Sequence, residues 1–108
     1  MAIRYGLRNN VVTNLNASGD GSDQIRNNNA AVLWVVVQVS VITVPTSTAT
    51  ATLKPPTGII DTSYFAGTGD SAVGAYILLP GDYVEITYDG GPANGQGTAT
   101  YIYHEVDL

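Results

Sequence analysis

The sequence predicts an all-β protein without substantial helix, and three observations support this prediction. No window of ten residues is free of Gly, Pro, Asn and β-branched residues, so no helical periodicity develops. Polar and apolar residues alternate with the two-residue period of strands, as in Tyr83–Asp89. Turn-forming segments recur about every 10 residues. Together these features are typical of an antiparallel β-sandwich, Ig-like or jelly-roll-like, with about seven to eight strands.

Length and composition agree with one sandwich domain over residues 1–108. A chain of this length buries about two-thirds of its unfolded surface, which is enough for a core without disulfides. The absence of cysteine excludes disulfides and thiolate metal sites. Nine acidic residues oppose four basic ones, for a net charge of −5. Since nucleic-acid binding depends on clustered Lys and Arg, we expect no nucleic-acid partner.

The first thirty residues predict an extended segment and a loop. A strand or arm near Ile3–Leu7 lies within residues 1–10, and a second strand spans Val11–Leu15. Residues 16–29, NASGDGSDQIRNNN, predict a polar loop, because Asn, Asp, Gly and Ser favour turns. The start of the chain lacks the apolar region of a secretory signal.

The uncharged run AVLWVVVQVSVITV, residues 31–44, predicts a long strand that needs cover on both faces. Its odd positions are almost all apolar, and we expect them to line the core. The even positions begin with Val32, Trp34 and Val36, which need a second cover from a loop, the N-terminal arm or a neighbouring subunit. The run is shorter than the roughly 20 residues of a membrane-spanning helix, so we expect no membrane partner.

Pro45 ends this strand, because proline cannot donate to a β ladder. The next segment alternates threonine with small residues, and we expect Ser47, Ala49, Ala51 and Leu53 to face inward. Residues 67–74, GTGDSAVG, predict a loop. The remaining strands are predicted at Ile59–Phe65, Ala75–Leu79, Tyr83–Asp89 and Thr98–Val106.

The residues that carry catalytic chemistry are sparse. His104 is the single histidine, and no nucleophile or orienting partner accompanies it in the sequence. The segments DGSD and GTGD lack the ligand spacing of a calcium loop. We therefore expect a non-enzymatic protein with no catalytic residues, no metal site and no cofactor.

Tyrosines are concentrated near the C-terminus, where Tyr83, Tyr88, Tyr101 and Tyr103 fall within the last two predicted strands. One interpretation is cross-strand pairing, which stabilises antiparallel sheets. The other is a ligand face made by Tyr83, Tyr101 and Tyr103, because tyrosine combines an apolar ring with a hydrogen-bonding hydroxyl.

The segments TSTATATLKPPTG and SYFAGTGDSAVGAYILLPGDYVEITYDGGPANGQGTATYIYHEV resemble small β-sandwich virion proteins of tailed bacteriophages, especially those of actinobacterial hosts. The resemblance covers roughly residues 45 to 106 and rests on threonine-rich strands, the YFAGTGD turn and the LPGD strand entry. It implies a capsid decoration or minor capsid protein, without catalytic residues, that cements the shell. The implied partners are the major capsid protein lattice and further copies of the chain, most simply as a trimer. The implied location is the capsid surface of the virion, after assembly in the host cytoplasm.

Two groups of residues are predicted to contact other subunits or the shell. Ile3, Arg4 and Tyr5 lie in the N-terminal arm, which could add a strand to a neighbour. Val32, Trp34 and Val36 form the second group. The alternative function is a phage tail or fibre module that binds host-surface carbohydrate through the tyrosine face.

Overall fold

A computed structural model of the chain describes residues 2–56, 61–65 and 70–108, with side chains for residues 2–56 and 76–108. Eight strands and no helix occur in these parts of the chain. The strands are β1 Ile3–Asn14, β2 Gly21–Arg26, β3 Val32–Val44, β4 Thr50–Lys54, β5 Asp61–Phe65, β6 Asp70–Leu78, β7 Tyr83–Asp89 and β8 Gln96–Asp107. The predicted all-β fold is confirmed.

The strands form two antiparallel four-stranded sheets. One has the order β1-β8-β3-β6 and is called the long sheet, because three of its strands have 12 or 13 residues. The other, with the order β2-β7-β4-β5, is called the short sheet. Strand β1 pairs with β8, β2 with β7, β3 with β6 and β4 with β5, as if one long hairpin had been rolled up. This connectivity is that of a jelly roll, one of the two predicted kinds of sandwich.

The core lies between the inner faces of the two sheets. Strand β7 contributes one face of its alternating pattern, with Val84, Ile86 and Tyr88 fully buried. Ala51 and Leu53 of β4 are also fully buried, and Ala49 is buried just before that strand. The prediction that these three residues face inward is therefore confirmed. The small side chains of the two alanines let the sheets approach closely.

Strand β3 changes the face that it turns toward the core halfway along its length. Its buried side chains are Val32, Trp34 and Val36 in the first half, then Val39, Val41 and Thr43 in the second. A β-bulge between Val36 and Gln38 interrupts the pairing with both β6 and β8. Since one extra residue shifts a two-residue pattern by one place, the bulge inverts the alternation. The prediction that the odd positions line the core is wrong before the bulge and correct after it.

Because of the bulge, the even positions in the first half of β3 also face the core. Val32, Trp34 and Val36 are 2%, 8% and 0% exposed, in one core cluster with residues of the short sheet. The chain's own second sheet covers them, rather than a loop, an arm or another subunit. The prediction that these three residues contact a partner is wrong, because all three are buried in the core of the chain itself.

The N-terminal region also differs from its prediction. Residues 3–14 form one strand, β1, which pairs along its length with β8 of the same chain. The irregularity between Arg4 and Leu7 contains Gly6, whose φ of 65° is left-handed and suits glycine. The arm proposed for residues 1–10 therefore adds its strand to this chain. Residues 16–29 are not one loop, because Gly21–Arg26 forms β2.

Most later strands begin or end near their predicted positions. Strand β3 ends at Val44, before Pro45, and β7 covers the predicted range Tyr83–Asp89. Strand β6 begins at Asp70, so the predicted loop is wrong from that residue onward. Predictions for residues 59, 60 and 67–69 lie outside the described residues.

Candidate functional site

The outer face of the long sheet carries the most extensive exposed apolar surface in the described part of the chain. Register places Ile3, Val106 and Leu33 side by side across β1, β8 and β3. In the next row Val35 lies between His104 and Ile77, and Ile77 is 58% exposed. The other end of the same face adds Val12, Ile42 and Val44, which are also exposed. Sheet faces that are apolar and uncovered mark interaction surfaces in soluble proteins.

Acidic residues are absent from this face among the described side chains. The outward positions of β8 are Gln96, Thr98, Thr100, Ile102, His104 and Val106, which alternate with the buried ones. Arg8 lies in the same row as Ile102 and Gln38, and no carboxylate occupies an outward position of β1 or β3. A chain of net charge −5 thus keeps one face free of negative charge.

The outer face of the short sheet is polar by contrast. Glu85 lies between Gln24 and Lys54, and Thr87 lies between Ser22 and Thr52. The two outer faces therefore differ in kind, with one suited to water and the other to contact with protein.

Tyr5 is the most exposed of the apolar residues on this face and packs against His104, which is half-buried. Their ring centroids are 5.1 Å apart in an edge-to-face arrangement, and Tyr5 is 70% exposed. The backbone N–H of Gly6 donates to Nδ1 of His104 at 3.0 Å. These contacts hold His104 on the outer face of the long sheet. They give it a structural partner in β1 rather than a nucleophile.

Arg4 is engaged within the chain. Its Nη2 donates to Asp107 at 2.7 Å and its Nε donates to Glu105 at 3.1 Å. The same carboxylate of Glu105 accepts from the indole Nε1 of Trp34 at 3.1 Å. Hydrogen bonds to Arg4 hold the pKa of Asp107 below its usual value, and the two carboxylates raise the pKa of Arg4. This network joins β1, β8 and β3, so of the three predicted arm contacts only Ile3 and Tyr5 remain free to meet a partner.

The predicted tyrosine face does not form. Tyr103 packs against Trp34 with centroids 4.3 Å apart, and Tyr101 lies 5.5 Å from Tyr103. Both tyrosines project between the sheets, and burial raises the pKa of each. Tyr83 instead lies on the outer face of the short sheet. The predicted cross-strand pairing of these tyrosines is wrong, because β7 and β8 belong to different sheets and Tyr101 and Tyr103 are neighbours on one face of β8.

A cavity of about 320 Å³ opens beside Tyr83. The residues that line it come from the end of β4, the turn before β7 and the outer face of β7: Lys54, Pro55, Pro56, Gly81, Asp82, Tyr83 and Glu85. The guanidinium of Arg26 lies 4.5 Å from the centre of the Tyr83 ring and is not among the lining residues. Among the described side chains, no cluster of three or more potential metal ligands occurs here or elsewhere.

One important residue escaped prediction. Asn27, the first of the triple asparagine, is fully buried and donates through Nδ2 to the carbonyl oxygens of Val32 and Leu78, both at 3.0 Å. The other two asparagines, Asn28 and Asn29, are exposed. Composition marks all three as loop residues, and nothing in the local sequence distinguishes the buried one.

Comparisons with known proteins add little to this description. No model of a protein family matches the chain, and no curated protein is significantly similar to it. Among solved structures, a similar one is the cryo-EM structure of the virus-like particle of giant freshwater prawn Macrobrachium rosenbergii extra small virus. The TM-score is 0.43 at 13% identity, over 95% of this chain and 81% of that chain. A similarity this distant carries no argument about function. Across the described residues, no helix is long and apolar enough to span a membrane.

Proposed function

We propose that this chain is a non-enzymatic structural protein of a virion, and more specifically a capsid decoration or minor capsid protein that cements the shell. The observation that carries the proposal is the contrast between the two outer faces. One is apolar and free of carboxylates among the described residues, and the other is polar. A subunit that seats one side of its sandwich on a protein lattice and keeps the other in water needs this contrast.

Two further considerations support the proposal. The strand order is that of a jelly roll, a fold found in viral capsid domains and also in lectins, so the fold alone favours neither function. The sequence resemblance to virion proteins of tailed bacteriophages covers the region from β4 to β8. It favours the capsid over the lectin, and it is the source of the proposed phage origin.

The partner in this proposal is the major capsid protein lattice, and the contact is the outer face of the long sheet. Ile3, Tyr5 and Ile77 are its most exposed apolar residues near the row of His104. Further copies of the chain, as a trimer, would bury the edges of the same face. The protein would then reside on the capsid surface after assembly in the host cytoplasm.

Co-sedimentation of the purified chain with assembled capsids tests this function. We expect binding to capsids and no binding to the free major capsid subunit. Ile77→Asp should abolish binding, because it places a charge in the apolar face. Thr87→Asp is the matched control, since it adds the same charge to the opposite face and should leave binding intact.

Three results would contradict the proposal in different ways. Equal loss in both variants would show that the outer face of the long sheet is not the contact. Absence of binding by the unaltered chain would overturn the decoration role. Closed shells formed by the chain alone, seen by electron microscopy, would make it the shell subunit and would leave only the broader structural role.

The second candidate function is a tail or fibre module that binds host-surface carbohydrate. The structure does not bring Tyr83, Tyr101 and Tyr103 to one face, so the three-tyrosine site is withdrawn. The observation that favours sugar binding is the cavity beside Tyr83.

A further inference from the structure

We infer that the cavity beside Tyr83 is a binding site for one neutral hexose unit of a glycan. This site is on the outer face of the short sheet, on the side of the sandwich opposite the apolar face of the long sheet. It is therefore independent of the proposed capsid contact. The cavity volume of about 320 Å³ is near the lower end of ligand pockets, which favours a single sugar ring over a larger ligand.

The aromatic wall of the cavity is held in position from behind. Arg26 lies 4.5 Å from the centroid of the Tyr83 ring, and its Nη1 donates to the carbonyl oxygen of Gly81 at 2.8 Å. Nε and Nη2 of Arg26 also donate to Gln24 at 3.2 and 2.7 Å. The guanidinium is thus fixed over the ring, and Tyr83 lines the cavity whereas Arg26 does not. A fixed aromatic ring offers an apolar platform to the C–H face of a pyranose.

The polar groups of the cavity include both donors and acceptors. Lys54 and Glu85 are directly paired in register on β4 and β7, yet neither side chain makes a hydrogen bond or ion pair within the described residues. Oδ2 of Asp82 accepts from the backbone N–H of Leu79 at 3.1 Å, which positions that carboxylate at the turn. The lining residues thus include one lysine and two acidic residues, and the charged groups of Lys54 and Glu85 have no partner among the described side chains.

This combination selects a class of ligand. Hydroxyl groups both donate and accept, so one sugar ring can satisfy the carboxylates and the ammonium together. Two carboxylates disfavour an anionic sugar, and Lys54 together with the guanidinium of Arg26 beside the Tyr83 ring balances their charge, so the site does not favour a cation. Pro55 and Pro56 complete the apolar part of the wall. A neutral, polyhydroxylated ring fits each of these conditions.

Backbone amide shifts in NMR spectra of the intact chain test the inference. The probes are the methyl α-glycosides of glucose, galactose and mannose, with glucuronic acid for comparison, each titrated to millimolar concentration. We expect at least one of the neutral glycosides to shift the amides of Lys54, Gly81, Tyr83 and Glu85, and glucuronic acid to produce a much weaker response. Because the proposed capsid contact lies on the other sheet, failure of either proposal leaves the other standing.

Matched variants make the test specific. Tyr83→Ala removes the platform and should weaken binding roughly tenfold or more. Glu85→Gln keeps the shape of the side chain but removes one charged acceptor, and it should weaken binding less than Tyr83→Ala does. Tyr5→Ala, which removes a more exposed tyrosine from the opposite face, should leave the titration unchanged. The inference is overturned if no neutral glycoside shifts these amides, if the shifts persist in Tyr83→Ala, or if glucuronic acid binds as well as its neutral counterparts.

Discussion

The aromatic ring of Tyr88, on the short sheet, occupies the space that a side chain at position 97 of the long sheet would need. A Cβ atom built on Gly97 would lie 2.5 Å from Cζ of Tyr88 and within 2.7 Å of both of its Cε atoms. Gly97 and Tyr88 are on the inner faces of β8 and β7, and Tyr88 is fully buried. The two residues are complementary, because the largest of the fully buried side chains packs against a position without a side chain.

Gly97→Ala should therefore destabilise the fold. The added methyl group must displace a buried ring that is packed on all sides, and overpacking of this kind costs about 1–3 kcal/mol. Urea denaturation monitored by Trp34 fluorescence would measure the loss. Thr98→Ala, at the neighbouring outward position, is the control and should change stability by less than about 0.5 kcal/mol. Equal effects of the two substitutions would contradict the packing of Tyr88 on Gly97.

Tyr88→Phe should not destabilise the protein at neutral pH and should reduce its loss of stability in alkali. The hydroxyl of Tyr88 is buried and has no hydrogen-bond partner among the described residues, so its removal leaves none of their groups unsatisfied. Burial, with a smaller contribution from Asp23, raises the pKa of Tyr88 well above its usual value. The unfolded chain therefore releases this proton first, and the stability that Tyr88 contributes is lost as pH rises above about 10.

The measurement is the free energy of unfolding of both proteins between neutral pH and pH about 11, within the range where tyrosine ionises. Tyr101 and Tyr103, whose pKa values are also raised by burial, should preserve part of the alkaline decline in the variant. An identical pH dependence in the two proteins would show that the Tyr88 hydroxyl is not buried. Clear destabilisation at neutral pH would show that it has a partner.

Asn27→Leu should destabilise the protein far more than Asn28→Leu. The amide of Asn27 joins the carbonyl oxygens at the start of β3 and the end of β6, and both lose their donor in the variant. Leaving such groups unsatisfied costs about 1–3 kcal/mol each. Asn28 is exposed, so the same substitution there is a control for the loop. Thermal unfolding followed by circular dichroism would compare them, and similar melting temperatures would contradict the inward orientation of Asn27.

Val36→Ala and Val35→Ala test the bulge in β3. Val36 is fully buried, whereas Val35 lies on the outer face of the long sheet. Truncation in the core should cost about 1–3 kcal/mol, since it leaves a cavity, and truncation outside should cost less than about 1 kcal/mol. Chemical denaturation would measure the free energy of unfolding of the two variants. A larger loss of stability in Val35→Ala would show that Val35 faces the core, as simple alternation along β3 predicts.

The sequence was most informative where local pattern and tertiary environment agree. Strand β7 was predicted in full, because Val84, Ile86 and Tyr88 alternate with polar residues and the strand is regular. The end of β3 was predicted because Pro45 cannot continue a ladder. In these places the chemistry of a few adjacent residues is enough to determine the structure.

Where prediction failed, the determining contact is distant in sequence or its sequence signal is ambiguous. The bulge in β3 lies in a run of three valines, whose side chains do not distinguish one face from the other. Strand β2 is polar apart from Ile25, so its composition is that of a loop, and it forms a strand because β7 pairs with it. The bond from Trp34 to Glu105 spans 71 positions. Of the candidate site, only the exposed Ile3, Tyr5 and Tyr83 were predicted as surface residues, and the apolar face on β3 was assigned to the wrong side.

The position of β8 has a consequence for synthesis of the protein. Strand β8 is translated after the seven other described strands, and it lies in the interior of the long sheet, between β1 and β3. Until it arrives, the first strand has no partner to pair with, and β3 exposes a long uncharged edge to other nascent chains. Such long-range pairing makes folding slow and leaves the growing chain prone to aggregation. The long sheet therefore completes its pairing only after β8 has been translated, and β1 and β3 stay unpaired along these edges until then.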